Sequence, residues 1–138
     1  MTDTLPEWYH ALARQGLAGA LGIEIVELTA ERVVATMPVD DRTRQPFGLL
    51  HGGASIALAE TVASFGAVAH IDRERFVAVG QEINGNHLRA KTDGSVRATA
   101  VPVYLGRTSQ VWSIEIRDEA ERLVCIARCT MAIVPRRL

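Results

Sequence analysis

The eighteen residues 52–69, GGASIALAETVASFGAVA, hold a single ionisable side chain, Glu60, among glycines, alanines and branched aliphatics. From 54 to 69 small and apolar residues occupy every face at helical spacing, the pattern of a helix enclosed by protein. The stretch is barely long enough to cross a bilayer, contains a carboxylate and is rich in Gly, Ala, Ser and Thr, so a buried helix accounts for it better than a membrane span. The rest of the 138-residue chain must then surround that helix. At 48% hydrophobic it has the means for one domain over 1–138, with no length for a second.

The flanking segments read as strands. Runs 23–28 and 32–39 are β-rich and meet around Thr29, Ala30 and Glu31, where a tight turn makes a hairpin, and Pro38 marks the end or edge of the second run. Residues 40–50 are polar and then carry Pro46 and Gly48, a loop leading into His51-Gly52-Gly53. After a polar turn at 71–75 come runs 76–88, 95–105, 109–117 and 123–134, read as antiparallel strands. Leu123, Cys125, Ala127, Cys129, Met131 and Ile133 keep strict period two. In 109–117 the alternation is looser, with Trp112, Ile114 and Ile116 set against Gln110, Ser113, Glu115 and Arg117, and the turn 118–121 joins the last two strands as a hairpin. Ahead of these, Pro6 and Glu7 open one short leading helix with Trp8, Leu12 and Leu17 as its stripe, loosened at Gly19 and Gly22. The order predicts an α+β fold in which an antiparallel sheet wraps a long central helix. Exposed sheet edges and uncovered helix surface predict an oligomer.

Several classes are excluded. Fifteen Lys and Arg against sixteen Asp and Glu give a net charge of −1, so no nucleic-acid or anionic-membrane partner is expected. Cys125 and Cys129 stand four apart on one strand face, roughly 13 Å from each other and out of disulfide reach, which predicts reduced core thiols. No Cys/His spacing suits zinc. The opening at 3–8 is acidic and aromatic, without a basic region and apolar run, so no signal peptide and a cytoplasmic protein are expected. There is no Gly-x-Ser-x-Gly elbow, Ser55 lacks a strand-to-helix setting, and phosphate-binding glycine motifs are missing.

Chemistry concentrates on the helix. A buried carboxylate persists when it is paired, protonated or used, and burial raises its pKa toward the range of a base; a structural Glu bonded to a nearby loop remains open. Ser64 lies at i+4 from Glu60, and Ile56, Ala57 and Ala63 share that face, enough for an acyl slot. Ser64 can equally bond back to a carbonyl one turn earlier. At His51-Gly52-Gly53 glycines let a ligand approach the free amides at the positive end of a helix. A preorganised Gly52 N–H is worth roughly 3 kcal/mol to a developing oxyanion, although glycines there also simply shape a cap.

The run Met37-Pro38-Val39-Asp40, Arg42-Thr43, Gln45-Pro46-Phe47-Gly48-Leu49-Leu50-His51-Gly52-Gly53-Ala54-Ser55, then Leu58-Ala59-Glu60, closely resembles the hotdog-fold thioesterases of the phenylacetate-pathway type. The nearest branch is that of the 1,4-dihydroxy-2-naphthoyl-CoA thioesterases and the proofreading thioesterase of enterobactin synthesis. Glu82-Ile83-Asn84, Asn86-His87, Leu105-Gly106-Arg107 and Gln110-Val111-Trp112 agree with it.

That resemblance implies a hotdog fold assembled as a homodimer, commonly paired into a homotetramer, with active sites at the dimer interface. It implies that Glu60 attacks the thioester or activates water, that Gly52 N–H polarises the carbonyl, that Gln45 and His51 position the thioester, and that Ser64 assists from across the interface. Phe65 and its successors shape the acyl pocket. His87, Arg89, Gly106, Arg107 and Thr108 become coenzyme A contacts, with Arg89 and Lys91 the best basic pair for phosphate. Coenzyme A is part of the substrate, and no separate cofactor or metal is expected. An aromatic acyl-CoA is favoured, and an aryl carrier protein is the alternative thioester donor. A hotdog hydratase or dehydratase reads His51 and Glu60 as its pair, but the Gln45–Gly53 context is that of the hydrolases. A non-catalytic acyl-CoA-binding domain predicts loss of the carboxylate or the glycine amides, and both are present.

Overall fold

Two short helices open the structure, a computed structural model that describes residues 5–137; Asp3 of the acidic opening and Leu138 lie outside them. The sequence predicts one leading helix, but α1 (Glu7–Leu12) and α2 (Gly16–Leu21) are separate. Gly16 has φ of 65°, a conformation that ends one helix before the next begins, and it leaves Leu17 64% exposed, off any continuous stripe.

The expected hairpin follows as β1 (Glu24–Leu28) and β2 (Val33–Pro38), closed by Thr29 N–H donating to the Arg32 carbonyl. The Thr29 hydroxyl accepts from the N–H groups of Glu31 and Arg32. α3 (Gly52–Ala69) is the long helix, and β3 (Phe76–His87), β4 (Ser95–Leu105), β5 (Ser109–Arg117) and β6 (Leu123–Pro135) complete the chain. All neighbours pair antiparallel in the order β1-β2-β4-β5-β6-β3, so β3 is an edge strand.

Period two decides which face is wet. Cys125, Ala127, Cys129, Met131 and Ile133 point into the core, and both thiols are buried and free. On β5 the inward set is Gln110, Trp112, Ile114 and Ile116. Gln110 belongs with the tryptophan and not with the exposed set, because its Oε1 accepts the Trp112 Nε1–H at 2.9 Å and so satisfies both buried polar groups.

α3 lies against every strand of the sheet. Leu58, Ala59, Val62, Ala63, Gly66 and Ala67 are its buried side, while Ile56, Ala57, Glu60, Thr61, Ser64, Phe65 and Val68 are only partly covered. Length and composition alone also qualify this helix as a membrane span; here the sheet takes up its apolar side.

Gly66 sets how close the helix comes. A Cβ there would fall 2.5–2.9 Å from the ring atoms of the fully buried Trp112. Gly66→Ala gains up to about 1 kcal/mol in helix propensity, yet overpacking against a rigid indole costs about 1–3 kcal/mol. A net loss of stability is expected, read as a lower urea midpoint; an unchanged or higher midpoint would show that the helix shifts freely off the ring.

Candidate active site

The N-terminus of α3 is built by the preceding loop. Thr43, 1% exposed, donates its hydroxyl to the Pro38 carbonyl at 2.8 Å and accepts the Asp40 N–H, while its own carbonyl takes the His51 N–H at 2.8 Å. Leu50 N–H donates to the Lys91 carbonyl. Arg42, hydrogen-bonded to Asp40, holds that carboxyl below its usual range and stiffens the start of the loop. A turn at 45–48 follows, with Gly48 N–H donating to the Gln45 carbonyl and Phe47 N–H to the Gln45 side-chain oxygen.

His51 is the N-cap, and its Nδ1 accepts the Gly53 N–H at 2.8 Å. With Nδ1 accepting, the neutral ring carries its proton on Nε2. Among the described residues no acceptor takes the Gly52 N–H, which stands at the positive end of the helix. The His87 ring packs over Gly52, where a Cβ would lie 2.8 Å from its Nε2. Gln45, Gly52, His87 and Arg89 together line a cavity of about 380 Å³, with Leu50, Leu88 and Val124 as apolar wall.

Glu60 lies two turns further on. Eight residues along a helix make about 12 Å from Gly52 to Glu60. Its carboxylate fits against β3 at Gly80, where a Cβ would sit 3.1–3.3 Å from the carboxyl atoms and where a β-bulge interrupts the pairing with β6. The sequence predicts substantial burial of Glu60; in the chain it is half-buried, because it belongs to the side of α3 that the sheet leaves open. Ser64 does not bond back along the helix. Its hydroxyl approaches Met131 Sδ at 3.9 Å, whereas Thr61 makes the back-bond, to the Ala57 carbonyl at 2.6 Å. Ile56 and Ala57 do share the open stripe, but Ala63, expected there, is fully buried, since its position on the helix turns it toward the sheet.

The basic residues divide in two. Lys91 is not available as Arg89's partner, because it is 13% exposed and pairs with Glu119 at 2.7 Å and Asp93 at 3.7 Å. Gly106, Arg107 and Thr108 form the turn between β4 and β5, with Arg107 and Thr108 exposed. Ser109 and Val79 both pair with Ala132, so this turn sits at the Val79 end of β3, eight residues or about 26 Å from His87. One chain therefore does not gather all five expected coenzyme A contacts. Sequence reasoning missed Gly80 as the seat of Glu60, although a glycine inside a strand pattern signals a bulge or close approach. Among the described residues no group of His, Cys, Asp and Glu is arranged to hold a metal.

Beneath the stripe, burial pushes the Cys129 thiol up to about 12, with the charges of Glu60 and Glu82 adding, and burial raises Cys125 as well. Both folded values lie above that of an unfolded thiol. Unfolding thus releases thiol protons above about pH 9, so these two groups withdraw stability as pH rises beyond that point and leave it unchanged below. Neither cysteine is expected to react with a disulfide reagent at pH 8 in the native protein, and both should react in urea. Native-state labelling would contradict this burial.

The pattern of the thioesterase superfamily matches residues 47–125. ComA2 of Bacillus subtilis (strain 168), named as a candidate esterase, is 61% identical over 120 residues, 87% of this chain and 95% of that protein. A 1,4-dihydroxy-2-naphthoyl-CoA hydrolase of Listeria monocytogenes is 47% identical over 122 residues, 88% of this chain and 98% of its own. The crystal structure of a mutant thioesterase from Pseudomonas aeruginosa superposes with a TM-score of 0.92 at 42% identity, covering 97% of each chain. With its antiparallel sheet wrapped round α3, the chain belongs to the thioesterase superfamily as a hotdog-fold hydrolase of acyl-CoA thioesters.

Proposed function

We propose that the chain hydrolyses an aromatic acyl-CoA at a site shared by two copies, Glu60 and Ser64 coming from one and Gln45, His51 and Gly52 from the other. The observation that carries this reading is the spacing along α3. With about 12 Å of helix rise between their backbones, and with the Glu60 carboxylate seated against Gly80 of β3, the Gly52 N–H and Glu60 of one chain are badly placed to act together on one thioester carbonyl group. A second copy removes the conflict. β3 offers 12 residues of edge strand, and Phe47 at the tip of its loop is 90% exposed in the single chain. Two β3 edges meeting antiparallel about a two-fold axis set the His87 end of one beside the Val79 end of the other. That arrangement carries the 106–108 turn of one copy toward His87 and Arg89 of the next, which makes these five residues one coenzyme A surface.

In this reading Gly52 N–H donates to the carbonyl oxygen as negative charge develops, with Gln45 and His51 positioning the thioester. Glu60 acts on the carbonyl carbon, as a nucleophile through an anhydride or as the base that takes a proton from attacking water. By either route water is consumed, the C–S bond breaks and the sulfur leaves as the coenzyme A thiol. The naphthoyl-CoA hydrolase among the relatives supports the aromatic acyl group. A carrier protein presents the same pantetheine thioester and is the second donor to test. The carboxylate and the glycine amides together argue against a binder without turnover.

Free-thiol release from benzoyl-, hydroxybenzoyl-, phenylacetyl-, acetyl- and palmitoyl-CoA should favour the aromatic members, and Glu60→Gln should lower kcat by about 10²–10⁴-fold with the oligomer intact. Full activity in that variant removes Glu60 from the mechanism. Co-expressed Glu60→Ala and Gln45→Ala chains, each nearly inactive alone, should recover up to about a quarter of wild-type activity, because half the random dimers contain one intact site. No recovery in the mixed protein would place both groups in the same chain's site.

A further inference from the structure

We infer that α1 is the end wall of the acyl pocket and that Trp8 is a specificity-determining residue, admitting a flat ring in preference to a long alkyl chain. This rests on the reading of Glu60 as the residue that works on the thioester carbonyl, and extends it away from that carbon.

Two tracks lead from Glu60 to Trp8. On α3, Glu60, Ser64 and Val68 follow one another at single-turn spacing on the open stripe. On β3, Gly80, Ala78 and Phe76 alternate on one face, with Gly80 against the Glu60 carboxylate. Both tracks run into a second cavity, of about 310 Å³, to which Ser64, Val68, Ala78 and Phe76 all contribute and which Trp8 and Leu12 bound from α1. Its lining is mainly apolar and includes three aromatic rings, those of Trp8, Phe65 and Phe76. A carbonyl held at Glu60 therefore has its acyl group directed along Ser64 toward α1.

The wall is held firmly. The Trp8 ring stacks on Phe65 of α3 at 5.9 Å and 15°, and the Arg73 guanidinium lies 4.5 Å from its centroid. The neighbouring Tyr9 is 6% exposed; its hydroxyl accepts the Ile25 N–H at 3.1 Å, and its ring meets Phe65 edge-on at 5.3 Å. α1 is thus pinned to α3, to β1 and to the turn before β3. With Phe65 stacked on the ring and Arg73 over it, the indole offers its edge to the cavity; a planar acyl ring can meet that edge in a T-shaped contact, whereas an extended chain of eight or more carbons runs into it and must bend or displace it. Simple packing of α1 onto the body would give Trp8 no such discrimination.

Two measurements test this on the full chain. Trp8→Ala should raise the ratio of kcat/KM for octanoyl-CoA to that for 2-naphthoyl-CoA by about tenfold or more and leave acetyl-CoA within about twofold, with Trp8→Phe between it and wild type. Independently of turnover, phenacyl-CoA, a non-hydrolysable thioether, should quench the Trp8 emission. Trp112, 0% exposed beneath α3, supplies a constant background, and Trp8→Phe should abolish the change while calorimetry still records binding. An equal fall across all substrates, binding without a change in emission, or no binding overturns the inference. Activity retained by Glu60→Gln overturns the Glu60 reading alone, because the emission change does not depend on the reaction.

Discussion

The distance between α3 and the sheet governs the rest of the molecule, and missing side chains set it. Gly66 brings the helix backbone down onto Trp112, while Gly80 and Gly85 let β3 rise against Glu60 and Ile56, where Cβ atoms would lie 3.1 Å and 2.7 Å from the nearest side-chain atoms. Close approach on these sides buries Leu58, Val62 and Ala63 completely. Apolar area removed from water is worth about 25 cal/mol per Å², so the helix is stable only where the sheet reaches it. Six strands reach one side.

The uncovered side is where a carboxylate is tolerable. A fully enclosed Glu60 without a cationic partner would oppose folding by several kcal/mol. Half-buried beside Gly80, at a bulge in an edge strand, it keeps access to water while losing much of its solvent shell. The geometry that makes Glu60 affordable to the fold also makes it reachable by a substrate, and it leaves an apolar stripe and a strand edge for a second copy to cover. In the proposed two-copy site, assembly and activity would answer the same deficiency.

Much of this was legible in the sequence. The apolar run at 52–69 and the strand-like runs from residue 76 on, only the last of them in strict period two, matched the helix and all four later strands within a residue or so of their ends, and Thr29-Ala30-Glu31 marked the first hairpin. Harder features depended on three-dimensional placement. A glycine within a helical pattern looks alike whether it is helical or, as at Gly16, left-handed and terminating. Gln110 reads as polar and outward until its bond to the indole is seen. Lys91 reads as a free cation until Glu119 from the distant hairpin is brought to it. The 106–108 turn and His87 look like one ligand surface in a linear motif, but strand order puts a strand's length between them. The resemblance named the chemistry; pairing registers decided which residues of it can meet within one chain.

The two ends of α3 are made from different materials, and on the proposed reading this separates polarisation of the thioester from selection of the acyl group. At the N-terminal end the groups are backbone amides and a capping imidazole, fixed by Thr43, by the Leu50 bond to Lys91 and by the Lys91–Glu119 pair. Their positions follow from main-chain geometry and change little with side-chain substitution. At the other end the walls are side chains from α1 and from the turn before β3, a turn tied to the chain's end where Arg136 donates to the Arg73 and Arg75 carbonyls. Of these contacts only the Arg136–Arg75 bond belongs to the β3–β6 ladder, and it lies at that ladder's end. On the proposed reading, replacing Trp8 or Leu12 would reshape the space offered to an acyl group without moving the amides or Glu60, so that one hydrolytic centre could serve different acyl groups through changes confined to its margin.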